Sequence, residues 1–264
     1  MKFGGTHREI VDTKEVFSYE FLSGELEDVL KAIHESSQQR QVIVNAINAH
    51  GISEAASDPE LHSIFSNGVM NIPDGMPLVW ISRLKRNPLK RRFPGRQFFL
   101  DLCSFAERHG YSIFLLGDTT DTLEGSIKTL GSMFPSLRVA GFYSPSFPFE
   151  ISSPETDHII ECINNAHPDF VFVALGVPKQ EKLMIRMEGK IQAKLMMGIG
   201  GTLQYLVGAY PVAPLWMQDA GLEWFWRFAH EPNRLWRRYT VGNLHFLYLT
   251  IKYLIKKGRA RKAG

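Results

Sequence analysis

Residues 168–181 read Pro-Asp-Phe-Val-Phe-Val-Ala-Leu-Gly-Val-Pro-Lys-Gln-Glu, and no other stretch limits the fold as strongly. Positions 170–175 form an unbroken apolar run rich in aromatic and β-branched residues, the pattern of a parallel strand buried on both faces. Gly176 lets the backbone turn sharply and approach a bound group, and Pro178 suits the first turn of a helix. Lys179, Gln180 and Glu181 are then expected to point from that helix start into a crevice. Open α/β sheets place ligands in the crevice at the carboxyl ends of their strands, where helix N-termini favour anions such as a diphosphate. An ordinary strand-turn-helix joint with a solvated Lys-Gln-Glu triplet would use the same residues, so the turn alone does not choose between them.

The rest of the chain alternates in the same way. A helix opens after Ser23 with Leu26, Val29, Leu30 and Ile33 on one face. Residues 41–46 read as a strand, and Asp58-Pro59-Glu60 as a capped helix start. A strand over 69–73 ends in Asp74-Gly75, with helices expected over 76–84 and 97–108. Strands over 112–116, 138–142 and 195–197 are separated by helices over 120–133, 153–164 and about 179–187. Strands spaced by helices predict an α/β fold, a Rossmann-like and mostly parallel sheet flanked by helices. Residues 86–95, with Pro88 and Pro94, read as the mobile loop.

At 264 residues the chain can build a full core without staples. Cys103 and Cys162 stand at no metal spacing and in no secreted framework, which fits a reducing compartment. The charged first residues show no export signal. Charge is distributed unevenly. Between Arg227 and Lys262 ten basic residues face Glu231 alone, a balance of +9, which leaves −6 for the rest of a chain whose total is +3. A second cluster without acids holds Arg83, Lys85, Arg86, Lys90, Arg91, Arg92 and Arg96. Two basic patches on an otherwise acidic protein suit a polyanionic partner: a membrane surface, a phosphorylated ligand or nucleic acid.

After residue 213 the character changes, so the division expected is an α/β domain over 1–213 and a helical, basic appendage over 214–264. Trp216, Trp224, Phe225 and Trp226 crowd its first part, and arginines alternate with aromatics in the second. Residues 239–255 are apolar, but Gly242, Asn243, His245 and Lys252 interrupt them, so a basic helix lying on an anionic bilayer fits better than a membrane span. A core helix with a solvated charged face has the same composition.

Few residues announce chemistry. Asp74, after a strand and before a glycine, stands where a carboxylate can serve as general base to a hydroxyl, although Asp-Gly is also a common turn. Asn48, two residues beyond the strand over 41–46, can reach the same crevice edge, although an asparagine there is as easily a turn former. Residues 198–201 read Gly-Ile-Gly-Gly but lack the third glycine of a dinucleotide loop, since position 203 is leucine. The motifs of P-loops, zinc proteases and nucleophile elbows are absent, and no Asp-x-Asp follows a strand to hold a metal-nucleotide complex.

Asp74-Gly75, Ala174-Leu175-Gly176-Val177-Pro178-Lys179-Gln180-Glu181, Gly198-Ile199-Gly200-Gly201-Thr202, Ala213-Pro214-Leu215-Trp216-Met217, Leu222-Glu223-Trp224, and Glu231-Pro232-Asn233-Arg234 with Arg237-Arg238 follow one another in this order. In combination these segments resemble the WecG/TagA/CpsF glycosyltransferases, glycosyltransferase family 26. The resemblance implies an inverting, metal-independent enzyme without cofactor. Such an enzyme moves a sugar from a UDP-sugar to a polyprenyl-diphosphate-linked saccharide on the cytoplasmic face of the membrane, for a cell-surface polysaccharide. It also implies roles: Asp74 as base, Gln180 at the donor or its leaving diphosphate, and Arg227, Arg234 and Arg237 reaching over the pocket from the appendage. Asn48, Arg92, Gly117, Gly176, Pro178, Glu181, Gly200, Gly201 and Gln204 are the substrate-binding positions that follow. Arginines and backbone amides would neutralise the departing UDP.

The chain departs from the family pattern at Ala46, where threonine is common, at Gln97, where an acid is common, and at Gln204, where aspartate is common. The last two changes favour a hexose donor for an exopolysaccharide over N-acetylmannosamine. A nucleotide-binding protein that docks on membranes without catalysis is the alternative, and it would have no use for Asp74. Nucleic-acid binding is disfavoured, because the tryptophans near the basic patches recur at helical spacing, as in packing. The tryptophan-rich segment can be buried within one chain or in a homo-oligomer.

Overall fold

A computed structural model describes residues 11–260 apart from 86, 215, 218–220 and 231; the side chains of 232–235, 237–241 and 256–260 also lie outside the described residues. Its centre is one eight-stranded sheet in the order β1-β2-β4-β3-β8-β7-β5-β6. The strands are β1 (Asp12–Val16), β2 (Tyr19–Ser23), β3 (Val42–Ile47), β4 (Met70–Pro73), β5 (Ser112–Gly117), β6 (Arg138–Tyr143), β7 (Phe170–Ala174) and β8 (Leu195–Gly198). Among the described residues only the β1–β2 hairpin is antiparallel, and every other pair is parallel.

The apolar run of β7 explains the layering. Phe170, Phe172 and Ala174 face one core cluster and Val171 and Val173 the other, so the strand is buried on both sides. The first cluster is closed by α1 (Leu26–Gln39), α5 (Gly95–His109), α6 (Thr120–Met133) and the short α9 (Thr202–Leu206). The second is closed by α2 (Ala49–Ala55), α3 (Pro59–Ser66), α4 (Met76–Leu84), α7 (Glu155–Ala166) and α8 (Lys179–Met187). Gly117 lets β5 and β7 run together to their ends: its φ is +111°, and a Cβ there would come within 2.5 Å of the Ala174 carbonyl oxygen.

The chain ends in α10 (Glu223–His230) and α11 (Pro232–Ala260). α11 packs along α2, where Ser53 Oγ donates to the Gly242 carbonyl at 3.2 Å, and its Phe246, Leu249 and Tyr253 join the second core cluster. Among the described residues no helix is long and apolar enough to cross a membrane.

The sequence-based elements recur with small changes at their ends. The first helix is entered through Glu25 rather than Ser23, since Ser23 completes β2. Segment 87–95, expected to be a mobile loop, is instead fastened: Leu89 and Phe93 are buried, the Leu89 amide donates to Ser82 Oγ at 2.9 Å, and the Phe93 amide donates to the Pro73 carbonyl at 2.7 Å. Lys90 and Arg91 both pair with Glu25.

Candidate active site

The carboxyl ends of β3, β4, β7 and β8 open onto two adjoining clefts. One, of about 260 Å³, is rimmed by Asp74, Gly176, Gln180, residues 198–202, Tyr205 and Arg227. The other, of about 340 Å³, is rimmed by Met76, Pro77, Arg92, Trp224 and Phe246. Asn48, His50, Asp74, Glu223 and Arg227 line both, so Asp74 stands at the junction. The neighbours β3 and β8 send the chain to opposite faces of the sheet, into α2 and α9, and such a divergence is where open α/β sheets hold ligands.

Asp74 is held by the strand ends. Its amide donates to the Ile47 carbonyl at 2.8 Å, its Oδ2 accepts from Asn48 Nδ2 at 3.2 Å, and its Oδ1 accepts from the Gly95 amide at 3.3 Å. Burial, and next the negative charge of Glu223, push its carboxyl above the ordinary aspartate value, against the opposing pull of Asn48, Arg227 and Gly95. A carboxylate held this way is a stronger base than one in water.

Cations face it from two directions. Arg227 on α10 donates to Glu223 Oε1 at 2.6 Å, one helical turn away, and its guanidinium lies 5.1 Å from the centre of the Tyr205 ring. Arg92 Nη1 is 3.9 Å from Glu223 Oε2, which ties the α/β body to α10, and Arg96 faces the other cleft from the start of α5, 5.8 Å from Tyr205. Glu223, Tyr205 and Arg96 were not among the site residues read from the sequence. The Glu223/Arg227 pair at i,i+4 was legible there; nothing local marked Tyr205. Arg234 and Arg237, expected over the pocket, lie with their side chains outside the described residues.

Several residues expected to touch substrate are placed otherwise. Gln180 reaches its cleft, but its Oε1 accepts from the amides of Gly176 at 3.1 Å and Gly200 at 2.9 Å. Those two amides therefore point at Gln180 and not outward at a phosphate. Glu181 is buried behind Gln180, and Lys179 turns away to donate to the Phe149 carbonyl at 2.8 Å. Gly117, Pro178, Glu181 and Gln204 line neither cleft. Gln204 Nε2 is held by Asp118 Oδ1 at 2.7 Å, and Gln97 Nε2 by Asp101 Oδ1 at 3.1 Å on the exposed side of α5. Asn48, Arg92, Gly176, Gly200 and Gly201 do line the clefts. Among the described residues no group of three His, Cys, Asp or Glu side chains is placed to hold a metal ion.

The profile of the glycosyl transferase WecG/TagA/CpsF family matches residues 14–260. The chain belongs to this family. It is similar to the N-acetylglucosaminyldiphosphoundecaprenol N-acetyl-beta-D-mannosaminyltransferase of Bacillus subtilis (strain 168), 31% identical over 205 residues that make up 78% of this chain and 77% of the relative. The enzyme of the same name from Staphylococcus aureus (strain MRSA252) is 24% identical over 87% of this chain and 88% of its own. This WecG/TagA/CpsF member is accordingly a glycosyltransferase on a Rossmann-like sheet, with Asp74 at the meeting point of its two clefts.

Proposed function

We propose that this enzyme transfers a sugar of the N-acetylhexosamine type from a UDP-sugar to the hydroxyl of a polyprenyl-diphosphate-linked saccharide, with Asp74 as base and without a metal. The observation that carries the reading is the place of Asp74, between a cleft walled by glycine turns and arginines and a second cleft lined in part by Met76, Pro77, Trp224 and Phe246. The first suits a nucleoside diphosphate; the second suits the saccharide and the start of its lipid. The acceptor hydroxyl gives its proton to an Asp74 oxygen as its own oxygen bonds to the anomeric carbon. The bond to UDP breaks on the opposite side, which inverts the centre. Arg227 and Arg96, on the first cleft, meet the charge that develops on the departing diphosphate, as fixed cations can.

The relatives' names support N-acetylglucosaminyl-diphosphoundecaprenol as acceptor and N-acetylmannosamine as donor sugar. Gln97 and Gln204 had favoured a hexose, but both are bound to neighbouring acids away from the clefts, which removes that argument. The exposed stripe of α11, Leu244, Leu247, Tyr248, Ile251 and Ile255, supports docking on an anionic membrane beside the lipid-linked acceptor.

The test is turnover by the full chain with a panel of UDP-sugars and a short-chain polyprenyl-diphospho-N-acetylglucosamine, run with EDTA and beside Asp74→Asn. Product from UDP-N-acetylmannosamine, unaffected by chelator and lowered about 10²–10⁴-fold in the variant while UDP still binds, is expected. Binding of UDP with no product from any donor would favour the non-catalytic alternative, and a strict need for added metal would refute the metal-free mechanism.

A further inference from the structure

Gln180 and Glu181 are neighbours at the start of α8, 5% and 3% exposed, yet only Gln180 reaches the cleft. Three hydrogen bonds occupy its amide. Oε1 accepts from the amides of Gly176 and Gly200, at 3.1 and 2.9 Å, and Nε2 donates to Glu181 Oε1 at 2.9 Å. The carbonyl end thus joins the turn after β7 to the turn after β8, the two turns that wall the polar cleft.

Such a bridge depends on where the NH₂ end goes. It lies against Gly198, where a Cβ would come within 2.5 Å of Nε2, so no side chain at 198 could supply an acceptor without displacing the amide. Without Glu181 the buried NH₂ would lose its partner, a loss that favours rotation of the side chain towards the open cleft. The two glycine amides would then lose their shared acceptor and the turns their common anchor.

We infer that Glu181 is a positioning residue for the transfer reaction: through Gln180 it fixes the separation of the Gly176 and Gly200 turns, and so the shape of the cleft that takes the donor's diphosphate. The inference rests on the donor reading given above. It also accounts for an acid kept in a place that burial makes costly to ionise, pushing its carboxyl up to about 7.

Two pairs of variants of the full chain test it, with amide hydrogen exchange of Gly176 and Gly200 as the primary readout and donor KM, kcat and UDP affinity beside it. Glu181→Gln keeps an acceptor oxygen and is expected to leave both exchange rates and KM within about threefold of wild type. Glu181→Met removes the acceptor but keeps the volume; both glycines are expected to exchange at least about tenfold faster and donor KM to rise by a similar factor, as the buried NH₂ loses its partner. The second pair stands even if the methionine variant does not fold. Gln180→Glu sets two carboxylates together and should speed exchange at both glycines. Adding Glu181→Gln returns one amide and one carboxylate in reversed order and should restore protection. Wild-type exchange in Glu181→Met, or no recovery in the reversed pair, would overturn the inference. Should the wild-type enzyme bind no UDP, the donor reading fails, while the exchange rates still decide whether Glu181 positions the turns.

Discussion

Asn48 Nδ2 donates to Asp74 Oδ2 across 3.2 Å, while Oδ1 of the same asparagine accepts from the amides of His50 at 3.1 Å and Gly51 at 3.2 Å. One side chain therefore caps α2 and steers the carboxylate proposed as base. The two tasks separate by substitution. Asn48→Ala is expected to cost about 1 kcal/mol of stability through the lost cap, and to lower kcat as Asp74 loses its partner. Asn48→Asp keeps the cap acceptor but brings a second carboxylate against Asp74. Its Tm should stay near wild type while its rate at neutral pH falls. Denaturant melts beside single-turnover rates check this, and equal rates in the aspartate variant and wild type would sink it.

Burial and Glu223 raise the pKa of Asp74, so the acid limb of kcat/KM is expected above the usual aspartate range. The sign follows from the role: a base works only when ionised, so activity is lost as pH falls through the raised value. Glu223→Gln withdraws a negative charge that opposes ionisation, and the limb should move to lower pH. A limb that stays in place would show that Glu223 does not act on the base.

Arg227 is held by Glu223 at 2.6 Å and by the face of Tyr205. If it meets the departing diphosphate, Arg227→Ala should lower kcat/KM by about 10²-fold or more. Arg227→Lys should recover only part, because a lysine cannot keep the planar fork that bridges a carboxylate and stacks on a ring. Full activity in Arg227→Ala would remove it from the mechanism.

How far the sequence reached depends on the range of the signal. β7 and the cap at Asp58 were legible because a local pattern determines them: apolar on both faces, or an oxygen aimed at the next amides. The β1–β2 hairpin was missed because its turn uses Phe17 and Ser18 at positive φ, without the Asn-Gly signal of such turns. α2 was missed because it is short and capped by Asn48, a residue read only as a turn former or crevice edge. At the site, Asp74 stood out by its strand-end position. The fate of Gln180, Glu181 and Gln204 did not, since each is decided by partners far away in the chain or by which side of its helix is covered. Gln204 meets Asp118, and Gln180 meets Gly200.

Leu244, Leu247, Tyr248, Ile251 and Ile255 form an exposed apolar stripe on α11, with Lys252 exposed among them. If this face lies on the bilayer, Leu247→Glu with Ile251→Glu should weaken flotation with vesicles containing anionic lipid by about tenfold or more and leave UDP affinity unchanged. Added salt should weaken wild-type binding only in part, because the apolar share is not screened. Equal flotation of variant and wild type would move the docking face elsewhere.

Glu181 links the site to stability. Burial raises its carboxyl from 4.5 to about 7, so between those values the folded protein keeps a proton that the unfolded chain has released. The folded state binds more protons in that window, and stability must fall as pH rises through it, a sense opposite to that of an ion-paired carboxylate. The displacement corresponds to on the order of 3 kcal/mol, fully felt only above the folded value. Glu181→Gln has no proton to lose. Urea unfolding of both proteins at pH 5 and pH 8 should therefore show wild type losing on the order of 2–3 kcal/mol more than the variant between the two conditions, with other titrating groups cancelling in the comparison. The same variant keeps the acceptor that Gln180 needs, so it should gain relative stability at pH 8 without loosening the Gly176 and Gly200 turns. Equal pH dependence in the two proteins would mean that Glu181 is solvated in the folded state, and the anchoring of Gln180 would then need another acceptor.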